Sequence, residues 1–330
     1  MLPGDPAQMM LGQNEDSEQL KAVKQKYGFD KPLSVQYLYY LNDLSPISFH
    51  STQTEDYTYL SAKKYTSLSL FTIGNTSTVL KWPYLRESFT KQGKKVSKVL
   101  GETLPNTFVL AISAIGIALF IGLILGVVSA LKKDTFLDKT IQILSTLGMS
   151  VPSFFSAILF AWLFGYILHT YTNLEMTGSL YELDDYGENT NLKLKNLILP
   201  AIVLGIRPLA VIIQLMRNSL LEVLNQDYIR TARAKGLSEF QIIKNHAIKN
   251  ALNPVVTAIS GWFASMLAGA VFVEYIFGWN GLGKEIVNAL NTLDLPVIMG
   301  AVLVIATLFI IINIIVDIIY TLLDPKVKLE

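Results

Sequence analysis

No feature of this chain restricts its fold as strongly as its charge-free apolar stretches. One runs from Thr103 to Leu131 and a second from Thr140 to Leu174. A third, Asn196 to Met216, is interrupted only by Arg207. A fourth covers Asn250 to Val273, and a fifth Leu295 to Val316, continuing past Asp317 to Leu323. About 20 consecutive apolar residues are enough to cross a bilayer as a helix, and in lipid every backbone amide must be satisfied within the segment. The expectation is an all-α integral membrane protein with five visible transmembrane helices. Composition agrees: 51% of the residues are hydrophobic and 16% charged, whereas a soluble domain carries about a quarter charged residues.

The placement of charge gives a topology. Lys132, Lys133 and Lys139 crowd the loop after the first span, and Arg217, Arg230, Arg233, Lys235, Lys244 and Lys249 fill the loop between the third and fourth. Lys326 and Lys328 follow the last span. The loops 169–195 and 274–294 hold only Lys193, Lys195 and Lys284 against eight acids. Basic loops stay in the cytoplasm, so these loops and the C-terminus are expected inside. That puts residues 1–102 outside, with 12 Lys/Arg and 10 Asp/Glu and no signal peptide before them. The simplest repair is a first membrane helix preceding Met1.

The expected organisation is an extracytoplasmic segment 1–102, a membrane domain 103–323 with a cytoplasmic loop 217–250, and a cytoplasmic tail 324–330. In the outer segment Ser17–Tyr27, closed by Gly28, reads as a helix with a glycine C-terminal cap. Pro32–Leu41 reads as an aromatic helix lying at the interface or on the protein. Beyond Ser45 the pattern assigns no structure. The acidic stretch Tyr181–Glu188 faces either a soluble partner or solvent. With no cysteine there is neither a disulfide nor a thiolate metal site. His50, His169 and His246 are far apart, which favours structural or surface roles over metal ligation.

The stretch Asn225–Asn250 is the most informative. Asp227 or Asn225 can cap a helix running to Lys235, and Gly236 can end it in the left-handed conformation. Ser238 with Gln241 forms a capping box, and Leu237 with Ile242 can staple it. Two short helices at an angle, on the inner face, look like a docking element. Ala232 and Ala234 would let a partner approach, while Arg230 and Arg233 offer forks to carboxylates. A basic tether to anionic lipid is the alternative. A DNA-reading helix-turn-helix is formally possible, but not when fixed between two membrane spans.

At this loop the chain resembles the inner-membrane permeases of ABC importers, in the B-type dipeptide/oligopeptide branch. The stretch Asp227-Tyr-Ile-Arg-Thr-Ala-Arg-Ala-Lys-Gly-Leu-Ser238 matches the branch, with Arg230-Thr231-Ala232 in place of the family's Glu-Ala-Ala and Gly236 as its glycine. His246-Ala-Ile-Lys249 departs from the broad Ile-x-Leu-Pro signature. Leu2-Pro-Gly-Asp-Pro6, Val151-Pro-Ser-Phe154, Val273–Gly283 and Val316–Pro325 are similar too. The stretch 47–95 and the acidic outer loop look like insertions.

The resemblance implies a type I ABC importer permease fold with six membrane helices. Its implied partners are a second homologous permease, two cytoplasmic ATPase subunits, an extracytoplasmic solute-binding protein and membrane lipid, with no nucleic acid. It gives an ATPase-coupling role to Tyr228, Arg230, Thr231, Ala232, Arg233, Ala234, Lys235, Gly236 and Leu237. It also implies a non-enzymatic subunit without catalytic residues, metal or cofactor, importing peptides or similar small solutes across the inner membrane.

Gly278-Trp-Asn-Gly-Leu-Gly283-Lys284-Glu285 nearly spells a phosphate loop, but lacks the final Ser/Thr and a preceding strand. A glycine-rich turn leading to a re-entrant or interfacial helix is the better reading. Arg207 lies deep in a span, where a charge costs about 2.5–3.5 kcal/mol. It either lines a solute pathway and attracts a carboxylate, or bonds to carbonyls freed by Pro208. Pro152 is expected to kink its helix, and Asp317 to cap or pair locally. A secondary carrier would show inverted repeats, and a membrane enzyme a nucleophile–base or metal constellation; neither is visible.

Overall fold

The structure, a computed structural model, describes residues 7, 17–54, 56–62, 64–91, 93–184 and 186–323. Leu2–Pro6, the tail 324–330 and the side chain of Asp317 lie outside the described residues. The chain divides into two compact units, one of residues 1–102 with 286–303, the other of 103–285 with 304–330.

In the first unit, α1 (Ser17–Tyr27) ends at Gly28, which takes φ 71°, as its position after the last apolar turn requires. Helix α2 (Leu33–Leu44) follows. The next residues, to which the sequence pattern gives no structure, form an antiparallel sheet. Its strands are β1 (Ile47–Ser51), β2 (Ser67–Ile73) and β3 (Thr76–Lys81), in the order β1-β3-β2. The all-α expectation is corrected here.

The sheet is apolar on the outside. Register places Ile47 and Leu68 beside Leu80, and Phe49 and Phe71 beside Thr78, all on one face. Those five apolar side chains are 46–65% exposed. The opposite face buries Ser48, His50, Ser77 and Lys81 around Val79. Buried polar groups need partners, and these have them. His50 bonds through its two ring nitrogens to Ser48 Oγ and the Thr58 carbonyl, each at 3.0 Å. Burial lowers the imidazole below its ordinary pKa, which keeps it neutral. Lys81 Nζ donates to the carbonyls of Asp43 and Ser45.

The second unit is helical apart from a short hairpin, β4 (Tyr181–Leu183) with β5 (Thr190–Leu192). Among the described residues three helices are long and apolar enough to cross a membrane: α3 (Val96–Leu131), α7 (Lys195–Leu224) and α14 (Leu295–Leu323) over its first 22 residues. The second expected span is not one helix. Helix α4 (Phe136–Ser150) and α5 (Ser153–Trp162, extended by a π turn to Ile167) meet at 107°. Proline disfavours helical backbone in the residue before it, and Val151 accordingly sits at ψ 131°. Pro152 therefore breaks the helix rather than kinking it. A single turn, α6 (His169–Thr172), follows. The fourth expected span becomes α11 (Asn253–Gly269), of 17 residues, and α12 (Val271–Phe277).

Helices α3 and α7 pack closely because glycine permits it. A Cβ on Gly126 would lie 2.7 Å from Met216 Cβ, and one on Gly122 would lie 2.7 Å from Ile212. This four-residue glycine spacing lets membrane helices approach where larger residues would hold them apart. At the basic end of these helices, Arg217 grips Asp138 through two bonds of 2.7 and 2.8 Å, and Ser129 donates to the same carboxylate. Asp138 is 3% exposed on its side chain.

Candidate functional site

The loop between α7 and α11 folds as the sequence pattern predicts, with differences of detail. Helix α8 covers Asp227–Ala234. Its N-cap is Gln226, which makes no side-chain cap bond; neither Asp227 nor Asn225 takes that role. Asp227 instead accepts from Arg230 one turn on, at 3.2 Å. Gly236 takes φ 79°, a region glycine enters with little penalty. Ser238 caps α9 (Glu239–Ile242), and its capping box with Gln241 is present in both directions. A π turn (Ile243–Ala247) and α10 (Ile248–Ala251) carry the chain towards α11.

Polar contacts hold the two arms at a fixed angle. Arg233 forks onto Glu239 at 2.8 and 3.2 Å across the Gly236 turn. The Tyr228 hydroxyl accepts from Asn250 at 2.9 Å. An apolar seam does the rest. Ile229, Ala232, Ile242 and Ala247 are buried with Met216 and Leu220 of α7. This corrects the reading of Ala232, which is 5% exposed. Its small side chain serves close packing within the chain, since Ile229 and Ala232 are three residues apart and share one helix face. The outward face carries Tyr228, Arg230, Thr231, Arg233, Ala234, Lys235, Gly236 and Leu237, all exposed. Phe240, 71% exposed on α9, joins this surface. Its signal in the sequence was a lone aromatic on the polar side of a short helix.

The glycine-rich turn after α12 is organised by a carboxylate. Glu274 is fully buried and accepts from Thr107 Oγ1 at 2.7 Å and from the amides of Gly283 and Lys284 at 2.6 and 3.2 Å. Those amides open α13 (Leu282–Asn291). The backbone donors that a phosphate would need are thus taken by the chain's own acid. Gly278 supplies a left-handed cap at φ 68°, and a Cβ on Gly281 would collide with the Glu274 carboxylate.

Arg207 lies on α7, one residue before Pro208, with its side chain exposed. It forms no hydrogen bond or ion pair among the described residues, so carbonyls freed by Pro208 are not its partners. It lines a small cavity of about 90 Å³ with Ser153, Ser156, Trp262 and Ser265, beside the break between α4 and α5.

The likenesses to known proteins agree. Residues 122–329 match the family described as the binding-protein-dependent transport system inner membrane component. Residues 1–62 match the N-terminal family of such membrane components. A putative peptide permease protein of Brucella suis biovar 1 is 34% identical over 330 residues, covering 99% of this chain and 91% of the relative. The dipeptide transport system permease protein DppB of Bacillus subtilis (strain 168) is 34% identical over 330 residues, covering 100% of this chain and 90% of that protein. The solved inward-facing MetNI methionine ABC transporter superposes with a TM-score of 0.54 at 16% identity, over 68% of this chain and 96% of that one. At that identity the match speaks for the fold alone.

Proposed function

This chain belongs to the family of binding-protein-dependent transport system inner membrane components, and from that premise we propose that it is the permease subunit of a peptide ABC importer. Its fold is that of a type I ABC importer permease, and it is an inner-membrane component. ATP hydrolysis resides in two partner subunits on the cytoplasmic side, so the chain is not itself an enzyme. A second, homologous permease completes the pathway. An extracytoplasmic binding protein delivers the peptide, and the outward apolar sheet face in residues 47–80 offers it a surface. The basic loops and the tail 324–330 face the cytoplasm.

The observation that carries this reading is the loop 225–251. It presents an exposed basic and aromatic helix, Tyr228–Lys235, braced at a fixed angle by Arg233–Glu239 and seated on α7 through Ile229 and Ala232. A helix so braced transmits a push on its outer face to the membrane helix beneath. ATPase closure then moves the membrane helices between inward- and outward-facing states. The direct test is uptake: vesicles holding the permease pair, the ATPases and the binding protein should accumulate a dipeptide only with ATP. Accumulation driven by an ion gradient alone would defeat the proposal.

Orientation has its own test, made simple by the absence of cysteine. Thr190→Cys, in the exposed β5, should react with an impermeant thiol reagent in intact cells. Ser238→Cys, the cap of α9, should react only after lysis. The reverse pattern would invert the topology.

Arg207 is proposed to line the solute pathway, supported by its exposure and its freedom from partners among the described residues. Arg207→Gln should raise the peptide concentration needed for half-maximal uptake by about tenfold, the worth of one charge-assisted hydrogen bond, with assembly intact. Unchanged uptake kinetics would return it to a structural role.

A further inference from the structure

Helix α2, Leu33-Ser-Val-Gln-Tyr-Leu-Tyr-Tyr-Leu-Asn-Asp-Leu44, reverses the usual arrangement of a surface helix. Such a helix normally buries its apolar stripe and shows its polar one. Here the polar side chains are bonded within the unit. Asp43, the one charge on α2, is buried and accepts from the Tyr65 hydroxyl at 2.8 Å and from Arg86 Nε at 2.9 Å. Asn42 exchanges two bonds with the backbone of Phe49 in β1, at 2.8 and 2.9 Å. Gln36 donates to the Lys31 carbonyl at 2.7 Å. The large apolar side chains are left outside: Leu33, Tyr37, Leu38 and Leu41 are 41–62% exposed. At 3.6 residues per turn these positions share one helix face, and Ser34 is the polar residue exposed beside them.

The same unit contains the opening of α14, since residues 286–303 belong to it. Leu295, Pro296 and Met299 of α14 line one groove with Leu33 and Tyr37 of α2. The outward face of α2 is therefore continuous with a helix whose first 22 residues are long and apolar enough to cross a membrane. At 1.5 Å per residue, Met299 lies about 6 Å along α14 from Leu295. Interfacial helices sink their apolar face to a similar depth, about 5–10 Å. With 12 residues, α2 is too short to span a bilayer, which takes about 20. A face covered by another protein would carry a polar rim, whereas the exposed face of α2 holds no charge.

We propose that α2 is an interfacial anchor that lies along the bilayer surface beside the entry point of α14, with Leu33, Tyr37, Leu38 and Leu41 at the boundary of lipid headgroups and acyl chains. Tyrosine suits that boundary, because its ring is apolar and its hydroxyl can stay wet. The proposal needs α14 to cross the membrane and does not depend on the cargo being a peptide. Only the choice of the outer leaflet rests on the topology proposed above. So placed, α2 ties residues 33–44 to the lipid on one side. On the other it ties them, through Asp43 and Asn42, to Arg86, Tyr65 and β1 of its own unit.

The test uses the full chain in nanodiscs of phosphatidylcholine, with a nitroxide on a single introduced cysteine, for which the chain offers no background. The readout is how often the label collides with oxygen, which concentrates in lipid, and with a nickel chelate, which stays in water. A label at Leu38→Cys should favour oxygen. A label at Gln53→Cys, exposed in the same unit, should favour the chelate. Leu33→Asp together with Leu41→Asp puts two carboxylates on the proposed lipid face, and the Leu38 label should then lose its preference for oxygen. Both positions are exposed, so stability against denaturation should not change. The proposal is overturned if the Leu38 label meets the chelate as often as the Gln53 label does, which would leave the face to solvent or a soluble partner. It is overturned equally if the label is shielded from both reagents, which would make the cover a protein segment or a second copy of the chain, or if the two aspartates leave its preference unchanged. Uptake is a separate readout. A chain whose α2 lies in lipid but which supports no ATP-driven uptake would sink the importer reading and leave the anchor standing.

Discussion

With Glu274 replaced by alanine, the chain should still insert into the membrane but lose at least about 3 kcal/mol of stability against denaturation. Glu274 is fully buried and accepts from the Thr107 hydroxyl and from the amides of Gly283 and Lys284. Alanine leaves these donors facing an apolar space, and each buried, unsatisfied group costs about 1–3 kcal/mol. It also opens a cavity beside Gly281, where a built Cβ would collide with the Glu274 carboxylate. Glu274→Gln is the informative control. Its carbonyl oxygen can serve the two amides, while its NH₂ must turn towards Thr107, whose hydroxyl already accepts from Leu282. The glutamine variant should fall between wild type and alanine. Denaturation of the purified chain in detergent reads the difference. Equal stability of the three proteins would mean that Glu274 does not organise the turn.

That anchor was not legible in the sequence, and the reason is instructive. Glu274 stands just past the end of an apolar run and reads as the first acid of an outer loop. Its partner Thr107 lies 167 residues away, and no local pattern encodes such a pairing. Local signals fared better. The helix ended by Gly28 and the Ser238–Gln241 capping box are settled within four residues, and both are present.

The sheet shows an intermediate case. Ile47–Ser51 alternates apolar and polar residues, and Gly74-Asn75 is a two-residue hairpin signal with Gly74 at φ 59°. The alternation was obscured because a bulge between Ser69 and Phe71 shifts it in β2, and because the apolar face points outward. The burial of Ala232 could have been read as well. Ile229 and Ala232 are the apolar face of an otherwise charged helix, and such a face packs on something. What the sequence could not tell was that the something is α7 of the same chain.

That placement decides how the proposed coupling role of the loop should be tested. Gly236→Val should abolish solute uptake with the membrane helices still folded. At φ 79° a β-branched residue is strained by about 1–3 kcal/mol. Nothing lies within 4 Å of a Cβ built at Gly236, so valine acts through the backbone alone. Relief of that strain redirects α8 relative to α9 and pulls on the Arg233–Glu239 fork.

Two alanines then separate the faces of α8. Ala234 is exposed, so Ala234→Arg should leave the chain as stable as wild type while blocking the approach of an ATPase. Ala232 is packed among Ile229, Ile242 and Met216. Ala232→Arg must bury a charge or lift α8 off α7, and should lose stability as well as uptake. The measurements are capture of the ATPase subunits by the tagged permease, uptake in vesicles, and denaturation of the purified chain. The expected pattern is lost capture and uptake for Ala234→Arg at near wild-type stability and for Gly236→Val at a loss of no more than about 1–3 kcal/mol, against loss of all three for Ala232→Arg. If Ala234→Arg and Gly236→Val captured the ATPases and supported uptake like wild type, the outward face of α8 would not be where the ATPases push.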